Sequence, residues 1–249
     1  MKRLIIILLL FIPLYLSGQV VTTNVSYATG PRTYLDVIND GNTKGWYISD
    51  STATITKDGT DSTSVWADYL GSGRDLLAAD NTKAQPIWSA TGILFNGTTN
   101  FLHANAFTFN QPCFFYLVMK HITWTSAEII FDGNVTGRTR LYQYDSTPEL
   151  VASADSPTTP NDNLVLDTWG IVRVLFNGAS SIFQINATSA TTGDFGARNA
   201  EGFTLGYRPD TQDRFGNFEV TEIILRNYAD SDADQTLIVN YLNAKYTVF

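Results

Sequence analysis

Apolar and polar residues alternate with a period of two along most of this chain, in short runs closed by turn residues. Residues 140–144, 150–152, 170–176, 181–185, 203–207 and 218–226 each read as a short strand, because strict alternation gathers one set of side chains on a single face. Residues 113–122 (CFFYLVMKHI) are apolar on both alternating faces as far as Lys120, the pattern of a central strand covered on each side. Apolar runs end in Asn96-Gly97, Asp132-Gly133 and Asn177-Gly178, pairs that tolerate positive φ and predict hairpin turns. Asp58-Gly59 and the Gly71–Gly73 run mark further turns. Residues 19–42 are polar with weak apolar spacing, and predict a leading strand plus a loop.

One segment changes period. From Asp232 to Tyr246, Leu237, Ile238, Tyr241, Leu242 and Tyr246 recur at helical spacing, with Asp230 or Ser231 as N-cap and Lys245 near the C-terminal end. Many short strands and one terminal helix predict an all-β fold.

The first 18 residues read as an export leader: Lys2 and Arg3, an apolar run at 4–16 broken by Pro13, then Ser17-Gly18. That run is shorter than the roughly 20 residues a membrane span needs. The expectation is a chain exported to the cell surface or medium, or to the periplasm, with one domain at 19–249 and no stable span after cleavage. The formal charge of −8 grows more negative without Lys2 and Arg3, and repels phosphate backbones, so nucleic acid is excluded as a partner. Cys113 is the single cysteine, so no intrachain disulfide forms, and between Pro112 and Phe114 it reads as a buried inert thiol. Sequons at Asn24, Asn96, Asn134 and Asn186 carry no weight outside a eukaryotic host.

An ordered set of motifs now stands out. It runs Val65-Trp66-x-Asp68, Gly71-x-Gly73-x-Asp75-Leu76, Pro86, Gly92-x-x-Phe95-x-Gly97 and Leu102, then Trp169 with the 172–186 hairpin. Gly202, Leu205 and Gly206, then Gly216-x-x-x-Val220-x-Glu222-Ile223-Ile224 and Tyr241-Leu242-x-x-Lys245-Tyr246 close it. The set resembles the concanavalin-A-like lectin and glucanase superfamily in its laminin-G-like bacterial and phage variant, across most of the chain. The resemblance implies a two-sheet antiparallel jelly-roll sandwich with a C-terminal α-helix. It also implies carbohydrate or glycoconjugate binding, adhesion, or a place in phage tails and surface proteins. Asn96 stands where relatives often carry Asp, which puts any metal role of that position in doubt.

Laminarinase-type relatives carry Glu-x-Asp-x-Glu on one strand; here Glu128-Ile129-Ile130-Phe131-Asp132 has Ile130 in the middle. Regular alternation puts Glu128 and Asp132 on one face but roughly 13 Å apart, beyond glycosidase spacing, and Asp132 before Gly133 reads as a turn residue. Glu219 and Glu222, three apart, fall on opposite faces, so hydrolysis ranks last among the readings. His103 and His121 have no metal-ligand spacing. A structural Ca²⁺ has candidate ligands in Asp58 and Asp61 or in Asp210 and Asp213, although turn capping and the neighbouring Arg208 and Arg214 offer these acids other partners.

Sugar recognition needs an aromatic face with planar polar partners. Trp124 is the candidate platform; Arg140, Tyr142 and Tyr144 alternate with Gln143, and Tyr207, Arg208 and Asp210 end a later strand. Trp46, Trp66, Trp88 and Trp169 are assigned to packing. The expectation is a secreted non-catalytic module that binds carbohydrate or a cell-surface glycoconjugate, able to act as an oligomer. The alternatives are a structural fibre, tail or surface component that contacts protein and, last, a glycoside hydrolase.

Overall fold

The computed structural model describes residues 30–78, 85–134, 138–145 and 148–249. The leader at 1–18, and 19–29 of the leading segment, lie outside them. The fold is carried by Thr33–Phe249. A short helix α1 (Tyr34–Ile38) precedes β1 (Thr43–Ile48), β2 (Ile55–Lys57), β3 (Thr63–Trp66), β4 (Leu76–Leu77), β5 (Ile87–Trp88), β6 (Ile93–Asn96), β7 (Leu102–His103) and β8 (Cys113–His121). Then come β9 (Ile129–Asp132), β10 (Arg140–Gln143), β11 (Leu150–Ser153), β12 (Trp169–Phe176), β13 (Ser181–Ile185), β14 (Thr191–Gly193), β15 (Thr204–Leu205), β16 (Asn217–Arg226) and helix α2 (Asp232–Tyr246).

These strands form two antiparallel sheets, the sandwich the alternation predicts. The first runs β14-β13-β12-β8-β16-β6-β5 with β1 also on β16, and the second β11-β10-β9-β15-β7-β4-β3-β2. Strand β8 lies between β12 and β16, which explains its two apolar faces. Cys113, Phe115, Leu117 and Met119 enter the core between the sheets, whereas Phe114, Tyr116 and Val118 lie under Ile238 and Leu242 of α2. Each fully buried Phe or Leu of this kind contributes about 1.5–3 kcal/mol relative to exposure. Burial pushes the Cys113 thiol far above its ordinary value, as expected of an inert packing group.

Helix α2 follows its predicted stripe, and the Ser231 hydroxyl accepts the Asp234 amide at 3.2 Å as its cap. Two buried charges fasten this covered side. The Arg226 guanidinium donates to Asp230 (2.7 Å), Asp40 (2.8 Å) and Thr43 (3.0 Å), and Tyr116 donates to Asp230 at 2.9 Å. Glu222 accepts from Trp46 Nε1 (2.6 Å), Tyr246 (2.7 Å) and Lys245 (3.0 Å). Both hold the helices to β1 and β16, and each fills its hydrogen-bonding positions as a buried charge must.

The described part of 19–42 holds α1, because Thr33 and Asp36 form a capping box and Val37 and Ile38 pack beneath it. One expected turn is corrected here. Asn177-Gly178 does close a hairpin, between β12 and β13, with φ +53° at the glycine. Asn96-Gly97 instead carries the chain from β6 in one sheet toward β7 in the other, with φ +70° at Gly97. Gly133 is required for space, since a Cβ there would meet the Ala200 carbonyl oxygen at 2.4 Å. Among the described residues no helix is long and apolar enough to cross a membrane.

Candidate functional site

The outer face of the second sheet presents a hollow of about 220 Å³ lined by Ile129, Arg138, Arg140, Tyr142, Ser153, Asp155 and Arg214. Pairing explains which side chains reach it. Arg140 lies opposite Ser153 and Tyr142 opposite Val151, while the alternate residues Leu141, Leu150 and Ala152 enter the core. On the other side of β10, Leu141 faces Phe131 but Tyr142 faces Ile129, so Ile130 is an extra residue in β9. This β-bulge changes the parity of β9. Ile130 and Phe131 both enter the core, and Ile129 is left to line the hollow. The Ile129 amide donates to the Arg214 carbonyl at 3.0 Å, which places Arg214, itself at φ +59°, on the rim.

The bulge also corrects the reading of the acids. Asp132 is no exposed turn residue: it is fully buried in β9 opposite Thr204, with Arg140 Nη2 2.9 Å from its Oδ2 and the Gly133 amide donating to Oδ1 at 2.8 Å. Glu128 departs from Asp132 altogether and lies 3.7 Å from the ring of His121. Burial pushes Glu128 up to about 7 and His121 down to about 4, so both are uncharged in the window between those values.

Around the hollow the carboxyl groups are driven apart. Burial pushes Asp132 up to about 7, against the pull of Arg140. Asp210 is held below the ordinary range, chiefly by Arg208, which donates to it at 2.6 and 3.0 Å, with Arg140 and Arg138 adding to the effect. Arg138 reaches Asp210 only at 3.6 Å, and Asp155 pairs with Arg198. Arg140 Nε is buried without a hydrogen-bond acceptor, and its Nη2 meets Asp132 out of line for a good hydrogen bond. Arg214 forms no ion pair among the described residues, so positive charge is in surplus here. Tyr207 stacks on Phe215 at a ring-centroid distance of 6.0 Å and meets Phe101 in a tilted contact at 4.0 Å.

Of the residues singled out from the sequence, Arg140 and Tyr142 line the hollow, and Asp210 and Arg208 stand behind it as an ion pair. Gln143 faces the core, fully buried, and donates to the Asp145 carbonyl, so it cannot serve a ligand. Trp124 is half-buried against the core and meets His121 in a tilted ring contact at 4.3 Å, outside the hollow. Tyr144 is exposed but lies beyond the strand end and outside the lining. Tyr207 is nearly buried in its stack.

The candidate calcium ligands are engaged elsewhere. Asp58 accepts the Thr60 and Ser62 amides at 2.8 and 3.0 Å, Asp61 pairs with Lys57, and Asp213 accepts from Thr211. Among the described residues no three His, Cys, Asp or Glu side chains converge as a metal site. Sequence reading missed Arg138, Ser153, Asp155 and Arg214 as one group. The first was within reach, since Arg138, Arg140 and Tyr142 share a period of two; the others arrive from distant segments.

No family model matches the chain, and no curated protein matches it. Solved structures do. Trypanosoma rangeli sialidase in complex with sialic acid is similar at TM-score 0.55 and 15% identity over 84% of this chain and 34% of that one. A mutant GH54 α-L-arabinofuranosidase soaked with 4-nitrophenyl α-L-arabinofuranoside is similar at TM-score 0.57 and 13% identity over 76% and 52%. An arabinofuranosidase complexed with arabinofuranosyl-α-1,2-xylobiose matches at TM-score 0.57 and 13% identity over 74% and 51%. The chain thus spans about a third of the sialidase and about half of the arabinofuranosidases. At these identities the likeness establishes the β-sandwich. The expectation of a non-catalytic adhesion or binding module, with hydrolysis ranked last, is corrected: solved structures that share this sandwich include those of glycosidases.

Proposed function

We propose that this chain is a glycoside-cleaving protein whose substrate occupies the hollow on the outer face of the second sheet. The observation that carries the reading is a hollow whose lining sets one part-exposed carboxylate, Asp155, beside arginines and the hydroxyls of Tyr142 and Ser153. Asp155 is the carboxylate on the lining itself, 40% exposed, and the one positioned to meet a sugar as base or nucleophile. Tyr142 and Ser153 supply hydroxyls on the same surface, and Asp132 stands behind Arg140 as a positioning residue.

The likeness to sialidase and arabinofuranosidase structures supports the reaction class. The ordered motifs support a concanavalin-A-like, laminin-G-type sandwich as the particular variety of this fold, and the leader-like run at 1–18 supports an exported setting for it. The test is a panel of neutral and acidic 4-nitrophenyl glycosides and oligosaccharides, read by 4-nitrophenol or reducing-end release from the full chain. Asp155→Asn is expected to lower the rate at least about 100-fold, the lower range for losing an acid–base group, with an unchanged unfolding transition. A folded protein that cleaves no member of the panel, or an Asp155→Asn variant at full rate, overturns the reading.

A further inference from the structure

The charge balance of the hollow specifies its ligand more narrowly. Arg138, Arg140 and Arg214 line it against one carboxylate, Asp155, which Arg198 already holds. Arg214 has no ion pair among the described residues, Arg138 is 48% exposed with its nearest carboxylate taken by Arg208, and Arg140 Nε is buried without an acceptor. The chain as a whole carries −8, so this local surplus of positive charge runs against its background. None of the cations on the lining is a lysine. Guanidinium forks match a planar carboxylate through paired N–H donors, which a lysine point charge does not.

Chemistry points the same way. Glycoside cleavage develops positive charge on the sugar. A lining of three guanidiniums against one carboxylate, with Arg214 outside any ion pair among the described residues, would oppose that charge unless the substrate brought an anion of its own. A volume of about 220 Å³ is smaller than the roughly 300–1,000 Å³ of drug-sized sites, and suits one sugar ring in place of an extended chain.

We infer that the hollow takes a carboxylate-bearing sugar, its carboxylate held between Arg140 and Arg214 with Arg138 at the rim. This rests on the reading of the hollow as the site of a sugar substrate. The experiment is calorimetric titration of the full chain with trigalacturonate and sialyllactose, with their carboxyl-reduced counterparts, and with a sulfated lactose. At least one carboxylate sugar is expected to bind, and its reduced counterpart at least about tenfold more weakly, the value of one charge-assisted hydrogen bond. Arg214→Ala and Arg138→Ala are each expected to weaken that binding about tenfold or more without changing the unfolding transition, and Arg214→Lys to restore only part of it.

Equal binding of the reduced sugars overturns the inference. So does unchanged binding in both arginine variants, binding of the sulfated sugar alone, or no carboxylate binding at millimolar concentration. The two readings fail separately: carboxylate binding without cleavage sinks only the hydrolase, and cleavage of neutral glycosides with no carboxylate preference sinks only this inference.

Discussion

Replacing Asp132 by Asn tests the electrostatics on which the hollow depends. The carboxyl is fully buried, and its value is raised from 3.8 to about 7. A raised acid binds a proton more tightly in the folded than in the unfolded chain, so between about pH 4 and 7 the native state holds more protons and stability falls as pH rises. The loss is complete above about 7. Three units at about 1.36 kcal/mol each set a ceiling of about 4 kcal/mol, and relaxation around Arg140 brings the expected effect to about 2 kcal/mol. Asn keeps the shape and cannot ionise. Asp132→Asn should therefore equal the parent at pH 4 and exceed it by about 2 kcal/mol at pH 8.5 in urea unfolding at constant m-value.

Glu128, also raised, and His121, lowered, titrate in the same window with opposite signs, but they cancel in the difference between the two proteins. Arg140, Arg208 and Asp210 are the charged groups that act on Asp132, with Thr204 opposite it on β15. Once ionised, Asp132 competes with a ligand for Arg140. Carboxylate-sugar affinity should fall between pH 6 and 8 in the parent and stay flat in Asp132→Asn. A parent more stable than the variant at pH 8.5 would refute the argument, because the Arg140 pairing would then outweigh burial.

Two further variants probe the scaffold. Arg226→Met leaves Asp230 buried and Asp40 without its guanidinium, and should cost about 3–5 kcal/mol in chemical unfolding. Trp124→Ala should lower stability by about 2 kcal/mol through the lost packing on His121 and the core, while sugar binding by calorimetry stays within about twofold.

The sandwich and its terminal helix were open to reading because they rest on periodicity. The doubly apolar run of β8 already required cover on both faces, and the stripe on α2 supplies one of those covers. Helix α1 was missed because five residues carry too little periodicity to outweigh their polar setting, though the Thr33–Asp36 capping box was there to be noticed. The hollow was only half visible. Strict alternation predicts the faces of Arg140 and Tyr142, but the single extra residue in β9 breaks the count that set Glu128 and Asp132 together. Bulges have no fixed residue signature, and Asp155 and Arg214 reach the rim from segments about 60 residues apart in a chain where only tertiary structure joins them.

The two-faced strand β8 has a cost during synthesis. Its outward residues Phe114, Tyr116 and Val118 are shielded by Ile238 and Leu242, more than a hundred positions later. A ribosome that has delivered both sheets' central strands still leaves this greasy stripe bare until the last helix emerges, and non-local closure of that kind is slow and prone to clumping. Producing the protein in quantity should therefore depend more on holdase chaperones and low temperature than its dense finished interior would imply.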